Sequence, residues 1–101
     1  MEKKFIIKIE RQDIAYFIYL SYEVEGCDVL LKIIKDKRER CAIIKKRDDL
    51  ILEREILMHE LINKYGFDEY LTKYSMYSFS GNLNKNEIEI KFYNQKEVNH
   101  G

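Results

Sequence analysis

The sequence lacks proline, tryptophan and long apolar runs. No apolar run approaches the ~18–20 residues that a membrane-spanning helix needs. Lys8 and Glu10 also interrupt the apolar part of the N-terminus too early for a secretory signal. We therefore expect a cytoplasmic protein that does not act in a membrane. The missing proline and tryptophan, with thirteen lysines against five arginines, resemble coding from an AT-rich genome such as that of a low-GC bacterium or its phages.

Cysteine and glycine are also scarce. The two cysteines, Cys27 and Cys41, cannot build the disulfide framework of a small secreted scaffold. We expect both thiols to be reduced, although a bond between the two is the alternative. The four glycines are scattered without the spacing that cradles phosphate groups.

Catalytic and metal-binding patterns are nearly absent. His59 and Glu60 begin a helical zinc-protease motif, but the motif needs a second histidine where Asn63 stands. No serine lies in a Gly-x-Ser-x-Gly turn, and no carboxylate has a histidine or cysteine partner in metal-ligand register. We predict no catalytic residues, no metal site and no cofactor, and hence that the protein is not an enzyme.

The composition is that of a folded protein. The chain has 101 residues, of which 46% are hydrophobic and 36% charged. A chain of this length fits one domain. We predict one α+β domain over residues 1–93 and a flexible tail over residues 94–101.

The first 46 residues predict an antiparallel meander of four strands because they are rich in β-branched and aromatic side chains. Between the second and third strands, residues 25–28 have the composition of a turn. The predicted strands are residues 5–10, 14–24, 29–35 and 40–46. An alternative remains for residues 28–46, because Leu30, Ile33, Ile34 and Cys41 also fit a helical spacing.

The second half predicts a long helix and a hairpin. Residues 48–65 have a broad apolar face at helical spacing, with Asp48 or Asp49 as the N-cap. Gly66 supplies the left-handed residue that ends the helix. A short helix over 69–73 and a closing β-hairpin over 74–92 follow. In its last strand, the side chains of Ile88, Ile90 and Phe92 are expected to point inward.

Charge is strongly segregated although the whole chain is neutral. Residues 32–47, called the basic segment, contain eight lysines and arginines against two acids. Residues 48–69 contain seven acids against two basic residues. Such an uneven distribution governs the choice of partners more than it governs the fold.

The basic segment has three interpretations. Its cations can be neutralised by neighbouring acids, or they can contact the phosphates of a nucleic acid. They can also dock on an acidic protein surface, including the acidic helix of a second copy. The predicted partner-binding cations are Lys35, Lys37, Arg38, Arg40, Lys45, Lys46 and Arg47.

Tyrosines form a second candidate surface. Tyr74 and Tyr77 belong to an aromatic cluster that follows the main helix. Most of that cluster is expected in the core, yet tyrosine is also favoured at interfaces because it combines apolar area with a polar tip. Both residues are therefore predicted to bind a partner.

These observations predict a small binding protein that acts by protein–protein interaction with an acidic partner. A phage or mobile-element inhibitor of host machinery, of the anti-defence type, is the expected class on size and composition alone. The alternative is a nucleic-acid-binding regulator that uses the basic segment. A homodimer is a further expected assembly, because two-fold dimers are the commonest symmetric form.

Overall fold

The computed structural model of the protein describes residues 2–94. It confirms the α+β class. The elements in this range are β1 (Lys3–Lys8), α1 (Arg11–Ile33), α2 (Lys37–Lys64), α3 (Tyr70–Lys73), β2 (Met76–Asn82) and β3 (Glu87–Tyr93). Apart from Asn94, the predicted tail lies outside the described residues.

The three strands form one antiparallel sheet in the order β1-β3-β2. The central strand β3 pairs Ile90 with Phe5 of β1 on one side and with Phe79 of β2 on the other. Side chains alternate between the two faces of a strand, so Ile88, Ile90 and Phe92 are all buried on one face. The predicted C-terminal hairpin and its inward residues are confirmed.

The buried face of the sheet packs on the helices. Ile14 of α1 and Leu61 and Ile62 of α2 join the buried residues of β3 in one core cluster. Phe5 and Phe67 extend the cluster, with ring centroids 4.8 Å apart. The core therefore lies between the sheet, the start of α1 and the end of α2.

The predicted four-strand meander is wrong beyond its first strand. Residues 14–24 and most of 29–35, predicted as two strands, form the single helix α1. The predicted turn at residues 25–28 lies within that helix. Only the first predicted strand exists, as β1, and it pairs with β3 from the other end of the chain.

The helix forms because it collects the large apolar side chains on one side. Phe17, Leu20, Val24 and Cys27 follow one another at spacings of three, four and three, and all are buried. This alternation is typical of a helix that packs along another helix. Burial of each large side chain contributes about 1.5–3 kcal/mol. The intrinsic helix cost of a β-branched or aromatic residue is at most about 0.7 kcal/mol.

The predicted helix over residues 48–65 is the second half of a longer one. Helix α2 begins at Lys37, and the predicted fourth strand, residues 40–46, is its first part. The N-cap is Asp36 rather than Asp48 or Asp49, and its carboxylate accepts a hydrogen bond from the N–H of Glu39. The helical alternative for residues 28–46 is therefore nearer the structure, with a break at residues 34–36.

The predicted end of the long helix is confirmed. Gly66 adopts a φ of +85° after α2, a conformation that side chains disfavour. The N–H of Phe67 bonds to the carbonyl of Ile62, and the N–H of Gly66 bonds to that of Asn63. This pair of hydrogen bonds is the Schellman motif, which satisfies the free carbonyls of the last turn.

Helices α1 and α2 form an antiparallel helical hairpin that extends beyond the sheet. Its base is held by Lys64, whose ammonium lies 2.8 Å from Asp13 and 3.5 Å from Glu10. The helices contribute to the core cluster only through the first half of α1 and the last third of α2. The remainder of the hairpin, residues 24–53, thus has its own two helices as its main packing partners among the described residues.

Candidate interaction surface

The basic segment lies at the end of the helical hairpin that is farther from the sheet. Lys32 is in the last turn of α1, Lys35 is in the connection, and Lys37 and Arg38 are in the first turn of α2. The segment is therefore helical where a β-hairpin was predicted. Residues 32–38, called the tip, carry these four cations and a single acid, Asp36.

Three arginines of α2 face α1. Arg40, Arg47 and Arg54 are seven residues apart, which places them on one side of the helix. The guanidinium of Arg40 donates to the backbone carbonyls of Leu31 and Ile34, where α1 ends.

The other two arginines bind side chains of α1. Arg47 donates to the carboxylate of Asp28, and Arg54 lies 3.4 Å from the hydroxyl of Ser21. Arg40 and Arg47, both predicted to bind a partner, are therefore engaged in holding the hairpin together.

Lys45 is also engaged, although weakly. Its ammonium lies 3.1 Å from Asp49, one helical turn further along α2. Both side chains are largely exposed, so this pair contributes only about 0.3–0.5 kcal/mol. Lys45 is thus accessible to solvent despite its partner.

The other five cations of the basic segment make no ion pair within residues 2–94. All five side chains belong to exposed residues, and four of them are the tip cations. They are Lys32, Lys35, Lys37, Arg38 and Lys46. The first interpretation, neutralisation by neighbouring acids, therefore applies to part of the segment and not to the tip.

The acids of α2 border α1 further from the tip. The hydroxyl of Tyr16 donates a hydrogen bond to Glu53. That bond, followed by desolvation and the nearby charges of Glu53 and Glu60, raises the pKa of Tyr16. Glu53 and Glu60 make no ion pair within the described part of the chain, so an acidic patch lies beside Tyr16.

Tyr74 and Tyr77 lie beside the core at the sheet end of the molecule. The Tyr77 ring packs edge-on against His59, with centroids 5.4 Å apart, and the Tyr74 ring lies 6.2 Å from Phe92. Burial, and secondarily Glu55, raises the pKa of Tyr77. Along α2, His59 is twenty-one residues from Arg38, or about 30 Å at 1.5 Å per residue. The structure therefore does not bring the two predicted binding groups together.

Both cysteines are free, as expected; Cys27 is buried and Cys41 is exposed. Residues 2–94 contain no group of three or more histidine, cysteine, aspartate or glutamate side chains that could hold a metal ion. In the same range, no helix has the length and apolar character required to cross a membrane.

An exposed stripe of α1, with apolar side chains toward both ends, was not predicted from the sequence. Its members alternate at spacings of three and four, each one position before a residue of the side that faces α2. They are Tyr16, Tyr19, Glu23, Gly26, Leu30 and Ile33, and they are called the outer stripe. The same spacing in the sequence is the signal that could have revealed it, once residues 11–33 are treated as a helix.

Comparison with known proteins adds no relative: no family model, curated protein or solved structure matches the chain.

Proposed function

We propose that the protein is a non-enzymatic binding protein in which the tip of the helical hairpin docks on an acidic surface of a protein partner. The observation that carries this proposal is the set of four exposed tip cations without an ion pair within residues 2–94. Complementary charges of this kind steer encounter and favour the correct partner.

The position of two cations supports a binding role. Lys37 and Arg38 lie in the first turn of α2, where the helix dipole already contributes partial positive charge. A cation there opposes helix stability by about 0.3–1 kcal/mol at low salt. Two unfavourable charges at an exposed end are readily explained by a function that requires them.

Apolar side chains beside the tip favour a protein over a nucleic acid. Val29, Leu30 and Ile33 are exposed on the last turns of α1, and the chain as a whole is neutral. Nucleic-acid-binding domains are usually strongly basic. Protein interfaces combine an apolar centre with a polar rim, and the end of the hairpin offers both.

A binding protein without catalytic residues acts by covering a surface of its partner. An inhibitor of host machinery, encoded by a phage or mobile element, is the biological role that we attach to this proposal. The support for that role is the small size, the excess of charged and aromatic residues and the projecting hairpin, with no motif behind it.

The test is capture of partners from the native host by tagged protein, with nuclease-treated controls and mass spectrometry. The tip variant carries Lys35→Glu and Lys37→Glu. The control variant carries Lys3→Glu and Lys85→Glu. Both variants reverse two exposed lysines that make no side-chain ion pair within residues 2–94. We expect the tip variant to lose a protein that the wild type and the second variant retain. Equal capture by all three proteins would contradict the proposal.

Nucleic acid is the second candidate partner, favoured by the same four tip cations. Contacts with about four phosphates would make the affinity fall steeply as salt rises. A gel shift at low salt with duplex and single-stranded DNA and RNA tests this candidate. The absence of any complex disposes of it, whereas a salt-sensitive complex that the tip variant cannot form would displace the protein-binding proposal.

A further inference from the structure

The outer stripe of α1 has the pattern of a helix-packing surface. Four of its six members, Tyr16, Tyr19, Leu30 and Ile33, are apolar and 41–67% exposed. Glu23 and Gly26 separate these two apolar pairs, and the six members together have the alternating three- and four-residue spacing of the side of α1 that packs on α2. A seam of this kind is complementary to another helix, whose side chains fit between its members.

Gly26 stands at the middle of the outer stripe. Apart from the backbone of its own helix, no heavy atom of residues 2–94 lies within 4 Å of the position where a Cβ would be added, so no packing contact in this range requires a glycine. Glycine within a helix costs about 0.5–1 kcal/mol relative to alanine. A glycine at the centre of an exposed stripe with apolar side chains toward both ends allows a second helix to approach closely.

Two apolar members of the outer stripe lie at equal distances from Gly26. Tyr19 lies seven residues before Gly26, and Ile33 lies seven residues after it. An antiparallel copy of α1 crossing at Gly26 would therefore place Ile33 of each copy opposite Tyr19 of the other. A two-fold axis requires this kind of reciprocal contact.

The charges are complementary in the same arrangement. Lys35 follows the last turn of α1 and Lys37 begins α2 at the same end of the hairpin, so both lie toward the end of the interface where Tyr16 of the second copy would stand. Tyr16 is hydrogen-bonded to Glu53, and the acidic patch of Glu53 and Glu60 lies on that side of the hairpin. Each basic tip would thus meet the acidic patch of the other copy, at both ends of the interface.

We infer that a second copy of this chain docks along the outer stripe, with the two hairpins antiparallel and the two-fold axis at Gly26. The inference rests on the proposed function, because it names an acidic surface that the tip recognises. The spacing of the stripe indicates that the occupant is a helix. The charge complementarity favours the hairpin of a second copy of this protein.

Sedimentation equilibrium of the full chain from about 1 to about 200 µM tests the inference, since this range covers weak homodimers. We expect the mass to rise with concentration from 12.3 kDa toward twice that value. A mass that stays at that of the monomer throughout the range overturns the inference.

A charge-swap pair tests the orientation of the two copies. Variant one carries Lys35→Glu and Lys37→Glu, and variant two carries Glu53→Lys and Glu60→Lys. Each variant alone would juxtapose like charges, so its dimer Kd should rise at least about tenfold. An equimolar mixture restores both attractions and should recover a dimer near wild-type affinity. Failure of the mixture to recover association overturns the antiparallel arrangement.

Gly26→Lys tests the position of the axis, because it would bring two lysines together there. Leu52→Lys is the matched control, since Leu52 is exposed on the side of α2 that faces away from α1. Dimer loss only in Gly26→Lys supports the inference, and an unchanged Kd in this variant overturns it. The charge-swap pair decides the question if Gly26→Lys fails to fold by circular dichroism.

The two proposals can fail separately. A monomeric wild type that captures a different protein through Lys35 and Lys37 overturns the dimer and leaves the proposed function standing. A wild type that dimerises and captures no other protein supports the dimer and overturns a role that depends on a host partner.

Discussion

The cations of the basic segment have two different uses, and burial separates them. Arg40 and Arg47 are partly buried and bind α1, whereas Lys35, Lys37 and Arg38 are exposed and make no ion pair within residues 2–94. The planar guanidinium can satisfy two acceptors at once, which suits the seam between two helices. Burial and spacing together thus distinguish structural cations from candidate binding cations.

Arg40→Ala should destabilise the protein, and Arg38→Ala should not. Removal of Arg40 leaves the carbonyls of Leu31 and Ile34 without their shared donor. Hydrogen bonds from charged groups contribute about 1.5–3 kcal/mol, and solvent access reduces the expected loss here to about 1 kcal/mol. Urea denaturation of both variants measures the difference. Equal free energies of unfolding would show that Arg40 is not a structural residue.

Deprotonation of two tyrosines and one lysine should destabilise the protein at alkaline pH. The pKa values of Tyr16, Tyr77 and Lys64 are all raised in the folded state. For Tyr16 the main cause is the hydrogen bond to Glu53, for Tyr77 it is burial, and for Lys64 it is the hydrogen bond to Asp13. Each group binds its proton more tightly when folded, so the free energy of unfolding falls as pH rises.

The stabilisation from these groups is complete below pH about 10, near their ordinary pKa values, and is lost above it. Urea denaturation at pH about 8 and about 11 should therefore show a lower free energy of unfolding at the higher pH. Tyr16→Phe should reduce the drop because it removes one of the three groups. A drop of the same size in Tyr16→Phe would remove Tyr16 from this explanation.

Among the elements, α1 is a helix although its local residue propensities favour a strand. Its aromatic and β-branched composition predicts a strand with Leu20 and Tyr22 on one face. In the helix these two residues lie on different sides, and they are 1% and 68% exposed. Packing against α2 decides the conformation because the spacing of Phe17, Leu20, Val24 and Cys27 fits a helix.

Leu20→Ala and Tyr22→Ala test this assignment directly. Truncation of buried Leu20 should cost about 2–5 kcal/mol of unfolding free energy, because it removes apolar contacts and leaves a cavity. Truncation of exposed Tyr22 should change that free energy by no more than about 0.5 kcal/mol. Thermal or urea denaturation of both variants gives the answer. Similar losses in both would favour a strand with the two side chains on one face.

Elements with strong local signals were predicted well. The end of α2 at Gly66 was readable because only a left-handed residue closes a Schellman motif there. The alternation of Ile88, Ile90 and Phe92 likewise marked β3. Pairing of β1 with β3 and of Arg47 with Asp28 depends on residues far apart in the sequence, and no local pattern encodes either contact.

At the scale of the whole molecule, the charge segregation seen in the sequence becomes a spatial separation. The cations of the basic segment lie toward the tip, while Glu53 and Glu60 lie nearer the sheet. The position of the basic segment on α1 and α2 was not predicted, because the composition of residues 14–46 favours strands. The segment itself was identified, but its role in holding the hairpin was not.

The central claim is that the exposed cations of the tip recognise an acidic protein surface. The most direct test is the Kd of the captured partner for the wild type, the tip variant and the Lys3→Glu, Lys85→Glu variant, measured with their melting temperatures. We expect the tip variant alone to bind at least about tenfold more weakly, since charge complementarity is lost. Its melting temperature should be unchanged or higher, because glutamate at position 37 suits the start of α2. Equal Kd values for all three proteins, with all three folded, would contradict the account.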